Sequence, residues 1–285
     1  MDWLQHLVTG HKIPVGHWME WLVDGFKNGS AGFFDAVSGG VGFLVDGFTG
    51  VLTAIPGPLL IAILAGLSYL IRRSWALTAF VAMALLFIMN QGYWKATVET
   101  LSLVGFSALV STVIGVPLGI AAAHNPRAYA VMRPVLDLMQ TLPTFVYLIP
   151  TLVLFGLGTV PGLISTVIFA LPAPIRLTHL GITSVPRTLI EAGEAFGATP
   201  AQLLWKVELP SARATIMAGV TQCIMLSLSM VVIAALVGAG GLGVPVVRAL
   251  NQVRIDMGFE AGFAIVLLAI ILDRVCRPAE PGAPR

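Results

Sequence analysis

An all-α polytopic transmembrane helical bundle is the fold class that this chain predicts, and three observations carry it. Of its 285 residues 57% are hydrophobic and only 11% are charged, whereas a soluble domain carries about 25% charged residues. The mean hydropathy is +0.90. Several apolar runs of near-membrane length follow one another along the chain. At about 1.5 Å per residue, a helix of roughly 20 residues crosses a hydrocarbon core of about 30 Å. A net charge of +2 is too small to point to nucleic acid as a partner.

The first region is residues 1–54. In it Leu22-Val23-Asp24-Gly25-Phe26 recurs as Leu44-Val45-Asp46-Gly47-Phe48. Around the second copy Phe33, Val37, Val41, Leu44, Phe48 and Val51 follow helical spacing, with Asp35 and Asp46 on an opposing face. This pattern predicts amphipathic helices lying in the outer interface, with Trp3, Trp18 and Trp21 as headgroup anchors. A span through Phe34–Leu52 is the competing reading, and its two aspartates and several glycines weigh against it. Met1 to Lys12 lacks the basic stretch and apolar core of a cleaved signal peptide.

Seven spans are then expected. Ile55–Ile71 and Trp75–Gln91 form two peripheral helices within residues 55–91. The core, residues 92–277, carries Thr97–Ala123, Leu136–Leu157, Val160–Leu177, Thr215–Val237 and Gly258–Cys276, and residues 278–285 form a tail. Lys and Arg orient them. Arg72, Arg73, Arg127, Arg133, Arg176, Arg187, Lys206, Arg213, Arg274, Arg277 and Arg285 fall on one side; Lys12, Lys27, Lys95, Arg248 and Arg254 fall on the other. The richer side is cytoplasmic, so the N-terminus lies outside and the C-terminus inside. Pro143 and Pro150 fall on one face of the fourth span, and Pro117, Pro172 and Pro174 interrupt others. Such prolines mark either kinks in a packed bundle or a water-lined path.

Between the fifth and sixth spans lies a polar cytoplasmic hairpin. Pro186 suits a first helical position, and Gly197 suits a left-handed cap. A second helix restarts with Thr199 as N-cap, Pro200 first and Gln202 closing a capping box, and it stops before Pro210. Two short, stiff helices result, either a plain connector or a contact surface.

Other residues point to no chemistry. Cys223 and Cys276 are far apart and near no Cys/His cluster, so neither metal nor disulfide is indicated. His124 and His179 read as residues of loops or helix ends. Asp137, four residues after Arg133, and Asp273, beside Arg274, read as interfacial ion pairs. Glu99 and Glu260 read as outer interfacial charges; a proton relay would need acids near mid-membrane. No GxxxxGK[ST] loop is present to cradle nucleotide phosphates.

Glu191-Ala192-Gly193, three residues, Gly197, nine residues and Val207-Glu208-Leu209-Pro210 resemble the EAA signature of bacterial ABC importer permeases, with Gly193 in place of the second alanine and Val207 in place of isoleucine. The resemblance spans roughly Trp94 to Arg277. Leu138 to Pro150, Ile168 to Pro172, Ile175 to Thr178, Leu228 to Ala234, Gly240 to Gly243 and Ile270 to Arg274 are similar to permeases of the glycine betaine/proline betaine system, and choline permeases look alike.

The resemblance implies a type I ABC importer permease in the bacterial inner membrane, carrying a quaternary ammonium compatible solute. It implies cytoplasmic ATPase subunits that hold the ATP and Mg²⁺, a periplasmic or extracellular solute-binding protein, and a second permease copy. This chain would hold no cofactor and no ATPase site. Glu191, Ala192, Gly193, Gly197, Leu209 and Pro210 would couple to the ATPase. A quaternary ammonium is held by aromatic faces, so Phe145, Tyr147 and Phe155 are candidates for the substrate path, with lipid contact or packing the alternative. Gly238, Gly240, Gly241 and Gly243 would form a pliable periplasmic gate or simply a tight turn. A permease for another small solute and a stand-alone carrier or channel are the competing functions.

Overall fold

Fourteen helical segments follow one another in the computed structural model, which describes residues 14–277. Trp3, Lys12, Arg285 and the tail 278–285 lie outside the described residues. The α-helices are α1 (Val15–Ala54), α2 (Gly57–Arg72), α3 (Trp75–Asn90), α4 (Trp94–His124), α5 (Pro126–Thr141), α6 (Thr144–Phe155), α7 (Thr159–Ala170), α8 (Pro172–Thr183), α9 (Arg187–Ala195), α10 (Pro200–Leu203), α11 (Leu209–Ala235), α12 (Gly243–Gln252) and α13 (Ile255–Cys276). A π-helical turn, Leu204–Glu208, joins α10 to α11.

The centre of the bundle is α4, α8 and α11, which pack closely on one another. Lipid tails are as apolar as the helices, so close backbone approach has to supply the cohesion. At Gly119 of α4 a Cβ would lie 2.6 Å from the Thr178 Cβ and 2.7 Å from the Ile175 carbonyl oxygen. Two buried hydroxyls on α4 are satisfied within their own helix, Ser102 donating to the Val98 carbonyl at 3.0 Å and Ser107 to that of Leu103 at 2.7 Å, while Ser111 donates across to the Val167 carbonyl of α7 at 3.4 Å.

The fourth expected span is corrected. Leu136–Leu157 is not one helix but two, α5 and α6, bent by 97°. Pro143 has no N–H and disfavours a helical conformation in the residue before it. Leu142 accordingly is extended, at φ −65° and ψ 136°. Pro143 therefore lies outside the helix that contains Pro150. At 12 residues, α6 is about 18 Å long. The fifth span is longer than expected: Leu171 stays helical before Pro172, and the apolar run extends through Thr183. α2 and α3, 16 residues each, pack as a short hairpin around Arg73 and Ser74.

Residues 15–54 form two helical stretches joined at a kink, where Ser30 leaves helical geometry at φ −142° and ψ 25°. By length and composition Gly32–Ala54 could cross a membrane. Its contacts run along the bundle. Phe34 packs edge-on against Phe155, Gly42 faces Val160, and Gly57, just beyond the helix, abuts Met89 and Trp94. Those four partners stand at the ends of their helices, whereas Phe48 packs edge-on against Phe106, twelve residues into α4. Val45 is buried against the bundle, while Trp18, Trp21, Phe33, Leu44 and Val51 are exposed.

Candidate coupling site

Local chemistry builds the hairpin between α8 and α11. Pro186 occupies the N-cap, one position earlier than expected, and Arg187 begins α9. The helix ends in a Schellman motif. Gly197 adopts φ +77°, its N–H donates to the Glu194 carbonyl at 2.8 Å, and the Ala198 N–H donates to that of Gly193 at 3.1 Å. The next helix opens on a complete capping box: the Thr199 N–H donates to Gln202 Oε1 at 2.9 Å, and the Gln202 N–H to Thr199 Oγ1 at 3.4 Å. The two arms meet where a Cβ on Gly193 would lie 2.6 Å from Leu203 Cδ2.

The second arm does not stop before Pro210. It runs on through the π turn, so that Pro200–Ala235 is a continuous helical rod of 36 residues. Proline lacks an N–H, and in α register its ring would strike the carbonyl four residues earlier. The π turn, closed by the Leu209 N–H to the Leu204 carbonyl, widens the helix just before Pro210. Leu209 and Pro210 thus lie where the hairpin becomes the span.

Glu191 and Ala192 are exposed on α9. Beside them are two aromatics that the motif did not single out as contacts: Phe196 is 93% exposed and Trp205 71%. Bulky aromatics on a polar hairpin mark a contact surface, and their presence in so polar a stretch was the available signal. The other residue missed was His124. It stands at the end of α4, and its Nε2 lies 2.9 Å from Oε2 of Glu208.

The outer glycine segment is docked on its neighbours. The Gly158 N–H donates to the Val237 carbonyl at 2.8 Å, and the Leu242 N–H to Thr100 Oγ1 at 2.9 Å. Gly238 and Gly241 have φ of +92° and +114°. A Cβ on Gly240 would lie 2.8 Å from Glu99 Oε2, and one on Gly243 only 2.3 Å from the Val231 carbonyl oxygen. A tight turn, locked onto α4 and α11, is what these contacts make.

The aromatic candidates do not converge. Phe145 is exposed, Tyr147 is buried with its hydroxyl donating to the Met139 carbonyl, and Phe155 packs on Phe34 of α1. Phe145 and Tyr147, two residues apart on one helix, face different ways. Two ion pairs also differ from expectation. Asp137 pairs with Arg176 at 2.5 Å, and Asp273 with Arg277 at 3.1 Å. At the outer end the Tyr93 hydroxyl donates to Glu260 at 3.2 Å. Burial and that carboxylate push its pKa above the ordinary tyrosine value.

Residues 115–280 match the family described as binding-protein-dependent transport system inner membrane component. The chain belongs to that family. It is 47% identical over 266 residues to the glycine betaine/carnitine transport permease protein GbuB of Listeria monocytogenes, covering 92% of this chain and 94% of that protein. The glycine betaine transport system permease protein OpuAB of Bacillus subtilis is 47% identical over 93% of each chain. The glycine betaine/proline betaine permease ProW of Escherichia coli is 45% identical, over 92% of this chain and 74% of its own. A chain of the inward-facing MetNI methionine ABC transporter superposes with a TM-score of 0.58 at 24% identity, covering 67% of this chain and 95% of that one. That likeness shows the fold, a membrane helical bundle of the ABC importer permease kind.

Proposed function

We propose that this chain is the membrane permease of an ATP-driven importer for a quaternary ammonium compatible solute of the glycine betaine, proline betaine or choline class, worked by a separate ATPase through the 186–210 hairpin. The observation that carries the solute class is the 45–47% identity, across more than nine-tenths of the chain, to permeases named for glycine betaine. The hairpin geometry supports the coupling role. An element through which a partner biases a transport cycle has to be stiff, exposed and continuous with what moves. The capped hairpin is stiff and presents Glu191, Phe196 and Trp205. Its second arm is the inner end of a rod about 54 Å long, which reaches the docked outer glycine turn.

In this reading a second permease copy completes the path, an external solute-binding protein delivers the solute, and the ATPase holds ATP and Mg²⁺. Phe145, Tyr147 and Phe155 do not form a cage, so most of the selectivity is assigned to the binding protein. The test is uptake of labelled glycine betaine into proteoliposomes holding the permease, its ATPase and its binding protein. Uptake should require all three proteins and ATP, and unlabelled choline or proline betaine should compete better than an amino acid or a sulfonate. Uptake by the permease alone, or equal competition by an amino acid, would overturn the proposal.

A further inference from the structure

At the cytoplasmic end of the bundle lies a groove of about 720 Å³, between the ends of α2 and α13 and the start of α11. Its lining combines a basic rim with an apolar wall. Arg72, Arg213 and Arg277 stand at the rim, while Met217, Val220 and Val275 form an apolar wall. Met217 and Val220 follow Pro210 by seven and ten residues on α11, about 10 and 15 Å closer to the bilayer centre.

Arg72 donates to the Arg277 carbonyl at 2.6 Å, and Arg277 pairs with Asp273. Neither Arg72 nor Arg213 makes an ion pair among the described residues. The orientation rule accounts for arginines on this side of the membrane. It does not require three of them, from helices far apart in sequence, to converge on one apolar cleft. A free anion would use the rim and leave the wall unfilled; a hydrocarbon chain alone would leave the guanidinium groups unused. A ligand with a phosphate at one end and a hydrocarbon chain at the other matches both parts.

We propose that this groove holds one anionic phospholipid of the inner leaflet, its phosphate on Arg72 and Arg213 and an acyl chain along Met217, Val220 and Val275. Pro210 and Ser211 also line the groove, so the lipid braces the junction between hairpin and span. The chain carries its own reporter. Of its two cysteines, Cys223 is fully buried, whereas Cys276 is partly exposed and lines the groove.

The test uses the purified full-length chain, with two readouts. The first is native mass spectrometry of lipid retained from equal mixtures of phosphatidylglycerol and phosphatidylcholine. The second is the rate at which N-ethylmaleimide labels Cys276 in vesicles of either lipid. Phosphatidylglycerol should be retained about tenfold over phosphatidylcholine, a preference that two membrane-surface arginines can support. Labelling should be correspondingly slower in phosphatidylglycerol. Arg72→Gln and Arg213→Gln should each weaken both effects and together erase them, and Arg133→Gln, an exposed arginine of α5, should leave them. Equal retention of the two lipids, or an unchanged preference in properly folded Arg72→Gln and Arg213→Gln variants, would overturn the proposal. So would equal protection of Cys276 by inorganic phosphate in phosphatidylcholine vesicles, which would mark a free-anion site. Release of the lipid on adding the ATPase subunit would also overturn it, assigning the arginines to that protein.

Discussion

His124, the last residue of α4, holds its Nε2 2.9 Å from Oε2 of Glu208 in the π turn. This ties a central span to the point where the hairpin becomes α11. The ring's Nδ1 lies 2.9 Å from the Ile120 carbonyl oxygen, which can only accept, so that nitrogen carries a proton. Glu208 is nearly buried, and its Oε2 makes no aligned hydrogen bond. The contact is thus a close polar one between the end of α4 and the start of α11. Removing the ring leaves a buried carboxylate without a partner, at a cost of about 1–3 kcal/mol. His124→Ala is expected to lower both thermal stability and solute uptake. His124→Ala combined with Glu208→Gln should recover part of the stability, because no charge is then stranded. A double variant no better than His124→Ala would refute the link.

Gly197→Ile should separate transport from insertion. At φ +77° an L-residue is disfavoured by about 1–2 kcal/mol, and a β-branched side chain suffers most. Membrane insertion should be normal while uptake collapses. Gly197→Asn, which tolerates the left-handed region, should keep most of the uptake. Quantified membrane yield against uptake rate distinguishes these outcomes, and normal uptake by Gly197→Ile would remove Gly197 from the coupling element.

Gly193 is a spacing residue between the arms. Its missing Cβ would meet Leu203 Cδ2, the mobile end of a side chain, so Gly193→Ala should be tolerated and gain up to about 1 kcal/mol of helix propensity. Gly193→Leu should push the arms apart and lower uptake without lowering membrane yield. Adding Leu203→Ala should recover part of it. Uptake assays on the three variants settle the order.

At the outer end the obstacle is backbone. A Cβ on Gly243 would lie 2.3 Å from the Val231 carbonyl oxygen, which no rotamer change relieves, so Gly243→Ala should cost about 1–3 kcal/mol. Gly47→Ala on α1, where nothing lies within 4 Å, is the control and should be neutral or mildly stabilising. Thermal unfolding in detergent reads both. Equal midpoints would mean that the outer turn is not locked.

The hairpin was legible almost to the residue, because caps are written within a few positions of one another. Thr199 with Gln202, and Gly197 after Ala195 and Phe196, need no distant partner to take their conformations. The end placed before Pro210 failed for a related reason. A proline normally stops a helix, and whether a π turn absorbs it depends on the rod that continues behind it. Leu136–Leu157 read as a span because its composition is apolar throughout; hydropathy carries no information about the 97° bend.

Membrane residence, the all-helical bundle and the capped hairpin therefore follow from composition and local capping, whereas five helices, or six with the bent pair, are long and apolar enough to span, against the seven expected. The tertiary structure decided which faces are protein-facing. It joined His124 to Glu208, brought Arg72, Arg213 and Arg277 to one groove, locked Gly243 against Val231 and dispersed Phe145, Tyr147 and Phe155. The physical reason is that lipid and protein interior are equally apolar. In water, hydrophobic periodicity points a helix face at the core. In a bilayer the same periodicity is nearly silent, and close contact between distant segments decides instead.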